Sequence, residues 1–360
     1  MRLISNYIPP GGGNMNKAFL CTAILCLFIG PVSASELDLN YDFRFRYEYT
    51  DDGSKADTRN RNRIRTRLGA KYSPSEKFDL FIRFATAEEN TTSGNQTLGT
   101  DFTASDIGMD QLYLKYNLSD NANLLFGKMK NPFFKPNKSE LIFDGDYNPK
   151  GLAFNLSFGD VFSNIGHIKF DANPSKSIDL NSLQVGLSKN INDSTKAKIS
   201  FAIYDFDKVR EFNPNQITWN GKNFGNSTDV NGNYLYDFSL RNLSLEIKTE
   251  MMSLPTTFFL DMVNNSDADQ NDSGFQSGLS LLISEKWKFT YLYKDIESDS
   301  TFGALTHSDF GGGGAGHKGH QFNFSYPVTK RLSVDLVWFD NKKKMTFDYN
   351  KLFLDFKYKL

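Results

Sequence analysis

Cysteine is almost missing from this chain of 360 residues: there are two, Cys21 and Cys26, both inside the first apolar run. From about residue 35 onward there is no thiol chemistry and no disulfide framework. An excess of charge of one sign is also lacking. With Arg2 and Lys17 of the leader set aside, 39 basic residues stand against 42 acidic ones, which excludes nucleic-acid binding through bulk charge. Beyond residue 34 no apolar run approaches the roughly 20 residues that a membrane helix requires.

Catalytic signatures are equally scarce. There is no H-E-x-x-H, no G-x-S-x-G and no phosphate-binding glycine loop, so no catalytic residue is assigned and the expectation is a non-enzyme that needs no cofactor. Of the four histidines, His167 stands alone. His307, His317 and His320 lie in or beside Gly311–Gly314 without a carboxylate or cysteine at ligand spacing. Asp267, Asp269, Asn271 and Asp272 resemble the start of a calcium loop, but the turn glycine and the closing glutamate are missing. Asp229, Asn231, Asn233 and Asp237 match no better, and both segments read as solvated loop. No metal site is expected.

The amino terminus reads as a leader. Residues 1–14 look like upstream sequence, with Met15 as the true start. Asn16-Lys17 supplies the positive region, Ala18 to Ile29 the apolar core and Val32-Ser33-Ala34 a small-residue cleavage site. The expected organisation is therefore residues 1–34 removed and residues 35–360 as one folded unit.

What the chain has in abundance is alternation. From Leu37 to Tyr49 every odd residue is Leu, Tyr or Phe, while the even ones include Asp38, Asp42, Arg44, Arg46 and Glu48. Lys351 to Leu360 repeats the pattern to the last residue. A strand of period two places the two sets on opposite faces. Sixteen such segments are expected: 37–49, 59–72, 78–88, 107–118, 123–130, 149–158, 165–172, 180–190, 196–206, 234–249, 256–263, 274–284, 287–296, 319–328, 331–340 and 349–360. Between Leu240 and Leu243 the phase changes, which suggests a bulge or a displaced boundary; counts of fourteen or eighteen stay open.

The fold class expected is all-β, a transmembrane antiparallel β-barrel of about 16 strands. Turns after even-numbered segments are short and connections after odd-numbered ones mostly long, the asymmetry of periplasmic turns and external loops. Aromatics fall at segment ends, Tyr72, Phe78, Tyr116, Phe158, Trp287, Tyr326 and Tyr358 on one side and Tyr47, Tyr49, Tyr293 and Trp338 on the other, as interfacial girdles require. A soluble sandwich, the rival, would turn its polar face outward.

Two features point to function. Arg59, Arg61, Arg63, Arg65 and Arg67, at a spacing of two, share the inward face with Arg44, Arg46 and Arg83 of adjoining strands. Their guanidiniums stay charged at any ordinary pH, so they form a positive wall, which pairing with Asp38, Asp42, Glu48 and Asp79 would rigidify; the two roles are compatible. The connection 131–148 carries five large apolar residues, Phe133, Phe134, Leu141, Ile142 and Phe143, which need burial inside the barrel. Glu140, Asp144 and Asp146 of that loop would then face the arginine wall across a narrowed channel.

These features resemble the porins of Gram-negative outer membranes. Gly127-Lys128-Met129-Lys130-Asn131-Pro132-Phe133 and Asp144-Gly145-Asp146-Tyr147-Asn148-Pro149-Lys150-Gly151-Leu152 are similar to stretches of the family called putative porins. The resemblance implies a homotrimer set in outer-membrane lipids and lipopolysaccharide, whose third loop constricts each pore. It also implies passive diffusion of ions and small hydrophilic solutes, with no nucleic-acid partner. Leu360 departs from the usual terminal aromatic. The competing readings are an anion- or phosphate-selective porin, and a surface adhesin or structural barrel with a plugged lumen, for which loops 207–233 and 297–318 speak.

Overall fold

A computed structural model describes residues 36–86, 90–99, 106–173 and 176–360; the expected leader lies outside them. The first strands are β1 (Glu36–Asp52), β2 (Arg59–Ser75), β3 (Phe78–Thr86), the short β4 (Gln96–Leu98), β5 (Ile107–Ser119) and β6 (Ala122–Lys128). There follow β7 (Lys150–Phe158), β8 (Val161–Asn173), β9 (Lys176–Asn190), β10 (Lys196–Phe206), β11 (Phe238–Met251) and β12 (Leu254–Asn265). The last five are β13 (Ser273–Leu282), β14 (Lys288–Ile296), β15 (His317–Pro327), β16 (Leu332–Lys343) and β17 (Phe347–Lys359).

Consecutive strands pair antiparallel, and β1 pairs with β17 from Asp42 opposite Lys359 to Asp52 opposite Tyr349. That pairing closes the sheet, and closure is what allows a β-structure to sit in lipid, because no strand edge is left with unsatisfied backbone groups. Among the described residues sixteen strands form the wall. β4 is an inset that pairs with Asn62–Ile64 of β2, while β3 goes on to pair with β5. The sixteen expected segments are the sixteen wall strands, with the end of the third outside the described residues.

The outside of the barrel is apolar. Leu68, Phe126, Leu152, Ile165, Leu183, Phe201, Leu243, Phe324 and Phe356 all point outward and are exposed. So continuous an apolar surface is incompatible with water and suits the hydrocarbon of a bilayer. Cross-strand ring pairs mark its short-turn border: Phe78 with Tyr116 and Trp287 with Tyr326, each with centroids 4.8 Å apart. Toward the long-loop border Phe322 stacks on Trp338 at 5.1 Å. No helix among the described residues is long and apolar enough to cross a membrane.

The interior is not uniformly polar. Ile168, Leu180, Tyr204, Phe206, Phe238, Leu240, Val263 and Ile296 face inward from β8 to β14 and are buried. This corrects the expected bulge in the strand containing Leu240: β11 keeps an unbroken register with both neighbours. The pattern changes phase because the inward face itself changes, from apolar Phe238 and Leu240 near the loops to Asn242 and Ser244 below them.

What those inward apolar residues cover is the loop 131–148. Phe133, Leu141, Ile142, Phe143 and Tyr147 are buried against them, and the Tyr204 ring meets Phe133 and Phe143 edge-on at 5.0 and 5.1 Å. The loop leaves and rejoins the wall at a glycine pair, Gly127 opposite Gly151. Gly127 has φ +121°, and a Cβ there would lie 2.4 Å from the Leu112 carbonyl oxygen, so only glycine fits. Truncating a ring in this core costs about 3–5 kcal/mol. Phe143→Ala is therefore expected to undock the loop, so that protease cleaves within 131–148 at least about tenfold faster, while the barrel keeps its heat-modifiable migration on gels; unchanged protection would show that the core does not hold the loop.

Candidate functional site

The inward arginines meet carboxylates level by level down the wall. Nearest the long loops, Arg59, Arg61 and Arg63 converge on one fully buried acid, Glu48, at 3.4, 2.6 and 3.5 Å. Lys351 of β17 is 3.7 Å from the same carboxylate. One level lower Arg46 forks onto Asp355, with Nε to Oδ1 at 2.6 Å and a terminal nitrogen to Oδ2 at 2.8 Å. Its guanidinium also lies 3.6 Å above the Phe353 ring, the planar stacking that lysine cannot reproduce. Arg44 reaches Asp355 only at 4.0 Å and donates to the Asn95 side chain, leaving its Nε without a partner. Arg65 and Arg67 each lie 3.0 Å from Asp42.

Loop 131–148 supplies the next layer of charge. Asp146 accepts from Arg65 at 3.1 Å and from Arg67 at 3.4 Å, so it touches the wall instead of facing it across a gap. Burial alone would raise its pKa, but Arg65, Arg44 and Arg67 outweigh burial and hold it at about 2. The other two acids turn away from the arginines. The Asp144 carboxylate accepts the backbone N–H groups of Asp146 at 2.8 Å and Ser308 at 2.9 Å. Burial, with Glu140 and Asp146 adding to it, pushes Asp144 well above the usual carboxylate range. Glu140 pairs with His307 at 3.0 Å and accepts the Gly145 N–H at 2.6 Å. Arg83 pairs with Asp110 at 2.5 Å, whose other oxygen accepts from Asn148 at 2.7 Å, and so anchors the end of the loop.

A second loop enters the barrel. Residues between β14 and β15 fold inward, burying Phe302, Ala304, Leu305 and Phe310. They bond directly to the first loop: Asp144 N–H to the Leu305 carbonyl at 2.7 Å, and the Thr306 hydroxyl to the Glu140 and Leu141 carbonyls at 3.0 and 2.8 Å. Gly311–Gly314, all at positive φ, let this loop wind within the lumen, where Gly314 lies against the Phe224 carbonyl. The loop delivers Asp309 between Lys351 at 2.6 Å and Arg46 at 3.3 Å. Burial opposes ionisation there, and Lys351 and Arg46 overcome it, holding Asp309 well below the carboxylate range.

Around these contacts lies a cavity of about 300 Å³ lined by Arg44, Arg46, Arg65, Arg67, Glu140, Asp144, Asp146, Asp309 and Asp355. Of the expected residues it thus gathers four arginines and the three loop acids; Arg59, Arg61 and Arg63 stand above it and Arg83 beside it. Asp355, Lys351, Asp309 and Asn95 went unforeseen. The first two sit on the inward face of the last strand, so their meeting with Arg46 and Glu48 follows once β1 and β17 are joined. Asp309 and Asn95 carry no local signal. The histidines do not converge: His307 and His317 point inward on separate partners, while His320 meets the Tyr291 hydroxyl at 3.0 Å on the outward face. Asp229 spends its carboxylate on the Asn231 and Asn233 N–H groups, and no group of acids and histidines able to hold a metal occurs among the described residues.

His307 clamps the two loops. Its Nδ1 faces the Lys294 ammonium at 3.3 Å, so it accepts there and Nε2–H donates to Glu140. Burial lowers its pKa to about 4, with Glu140 opposing. A histidine that is harder to protonate when docked contributes docking stability in full above pH 6.5, and that contribution falls away as pH drops toward 4. Asp144, whose pKa is raised, works in the opposite sense. Comparing wild type with His307→Gln isolates the histidine: between pH 7 and pH 4, hydrogen-exchange protection at Thr306–Ser308, corrected for the intrinsic pH dependence of exchange, is expected to fall more in wild type than in the variant, and parallel curves would remove His307 from the clamp.

The chain is similar to solved porin structures. Pseudomonas putida OprB, in a structure at high pH, aligns with TM-score 0.61 at 10% identity, covering 90% of this chain and 94% of that one. Salmonella typhi OmpF, in complex with daunomycin, gives 0.57 at 10% identity over 90% and 97%. A triple mutant of the Rhodopseudomonas blastica porin gives 0.54 at 11% identity over 90% and 100%. At these identities the likeness is one of fold. Among curated proteins none matches the sequence. The family described as putative porin matches residues 49–237 and 245–359, most of the chain, which therefore belongs to that family: it is a porin, a β-barrel channel for passive diffusion across an outer membrane.

Proposed function

We propose that the mature chain, from about residue 35, works as a homotrimer in the outer membrane of a Gram-negative bacterium, surrounded by lipid and lipopolysaccharide. It passes ions and small hydrophilic solutes down their gradients, with no catalysis and no cofactor. The constriction is built by Arg44, Arg46, Arg65 and Arg67 on the wall, with Asp146 and Asp309 on the two inward loops. Arg59, Arg61 and Arg63 lead into it; Arg83, Glu140 and Asp144 hold the first loop in place. The observation that carries this reading is the contact of Asp146 with Arg65 and Arg67, which sets charges of both signs at the narrowed level. Closely opposed charges orient water and dipolar solutes and penalise apolar ones.

The inward course of residues 297–316 weighs against loop 297–318 as an adhesive surface, since its core residues are buried. Conductance separates the two readings. Purified, refolded protein in a planar bilayer is expected to show stepwise closures in threes; a silent barrel that still migrates in a heat-modifiable way would overturn the diffusion reading. In a salt gradient, replacing Arg63 and Arg65 by glutamine is expected to shift the reversal potential toward cations by several millivolts, and no shift would place both outside the conducting path.

A further inference from the structure

Between the constriction and the long-loop end lies a chamber of about 1080 Å³. Its charges are unequal. Eight lysine and arginine side chains line it against three aspartates, Asp52, Asp57 and Asp309. Two of those acids are already engaged, Asp52 by Lys343 at 2.6 Å and Asp309 by Lys351 at 2.6 Å. Glu48, buried on the inward face of β1, is shared among three guanidiniums. Lys55 and Lys222 are exposed and have no carboxylate within 4 Å among the described residues. The surplus amounts to fixed positive charge on the order of several molar within a low-dielectric cup, a geometry that focuses potential and concentrates counter-ions.

The placement of the charge selects the kind of anion. Arg59 and Arg61 are two residues apart on one strand face and converge on the same Glu48 oxygen, at 3.4 and 2.6 Å, so a single carboxylate is left to serve a cluster of cations. A single carboxylate or phosphate engages one cation at a time; a solute with two or more such groups engages several of the cations lining the chamber at once, the exposed Lys55 and Lys222 among them, and gains from each. At the constriction below, the arginines are matched by Asp42, Asp146, Asp309 and Asp355, so the attraction is confined to the long-loop side. We propose that this vestibule is a binding site for small polyanions, solutes with two or more carboxylate or phosphate groups, loaded from the long-loop side. The proposal rests on the channel reading, whose loaded side it defines.

Citrate and pyrophosphate serve as the carboxylate and phosphate probes, and glucose as the neutral control. In single-channel recordings in 0.1 M KCl, millimolar citrate or pyrophosphate added to one side is expected to interrupt the current at least about tenfold more than from the other side. Glucose should do neither, and 1 M KCl, with its Debye length of about 3 Å, should abolish the effect. Lys55→Gln with Lys222→Gln, both exposed, is expected to weaken the block about tenfold. Equal block from both sides, or none in a conducting channel, overturns the site. Calorimetric titration of the folded barrel with citrate reads the same site without current: heat lost in the double variant supports it and no heat overturns it. Citrate binding to a barrel that does not conduct would overturn the channel reading alone.

Discussion

The interior of this barrel depends on one packing event, the burial of the apolar side of residues 131–148 on the inward apolar residues of β8 to β14. Phe133, Leu141, Ile142 and Phe143 cannot remain in water at acceptable cost, and the wall offers Tyr204, Phe206 and Leu240 as partners. Once the loop is held there, its polar edge falls at the arginines, and Asp146 meets Arg65 and Arg67. Its backbone then bonds Leu305 and Thr306 of the second loop, and the Asp144 carboxylate accepts the Ser308 N–H. Removing the first contact would leave the others without a support.

The ion pairs have a different role from the apolar core. Glu48, Arg46 and Asp355 are almost entirely buried, and taking such charges from water costs about as much as their attraction returns. Their contribution is specificity of position. A lone buried charge is strongly unfavourable, so each arginine fixes the place of its carboxylate, and Asp309 and Asp146 bring two loops to defined points on the wall. The result is a constriction in which charges of both signs are locked in place, with a vestibule above it in which the cations outnumber their partners.

The wall was legible in the sequence because lipid and lumen impose opposite chemistry on alternate residues, and period two survives in every strand. The phase change at Leu240, which by alternation suggests a bulge or a displaced boundary, is a change in what the strand faces; alternation reports polarity, and the inner wall here is apolar. The burial of the third loop could be foreseen from its five large apolar residues. The destinations of Glu140 and Asp144 could not, since both depend on residues 305–308, more than 150 positions away. That second loop is rich in glycine and small polar residues, which read as a solvent-exposed connection. Its burial rests on backbone hydrogen bonds and on Phe302, Leu305 and Phe310, a signal too sparse to stand out.

Because one side of the interior is apolar and filled by loops, the number of strands does not by itself set the width of the path. The open space lies against β1, β2 and β17, where Arg46, Lys351 and Asp355 line the wall, and the opposite half of the lumen is occupied by the two loops and the core that holds them. On the channel reading proposed above, a solute would travel along a charged wall on one side and past loop backbone on the other. On that reading the conducting cross-section would be a property of loop docking, since the docked loops leave the open space beside the arginine ladder.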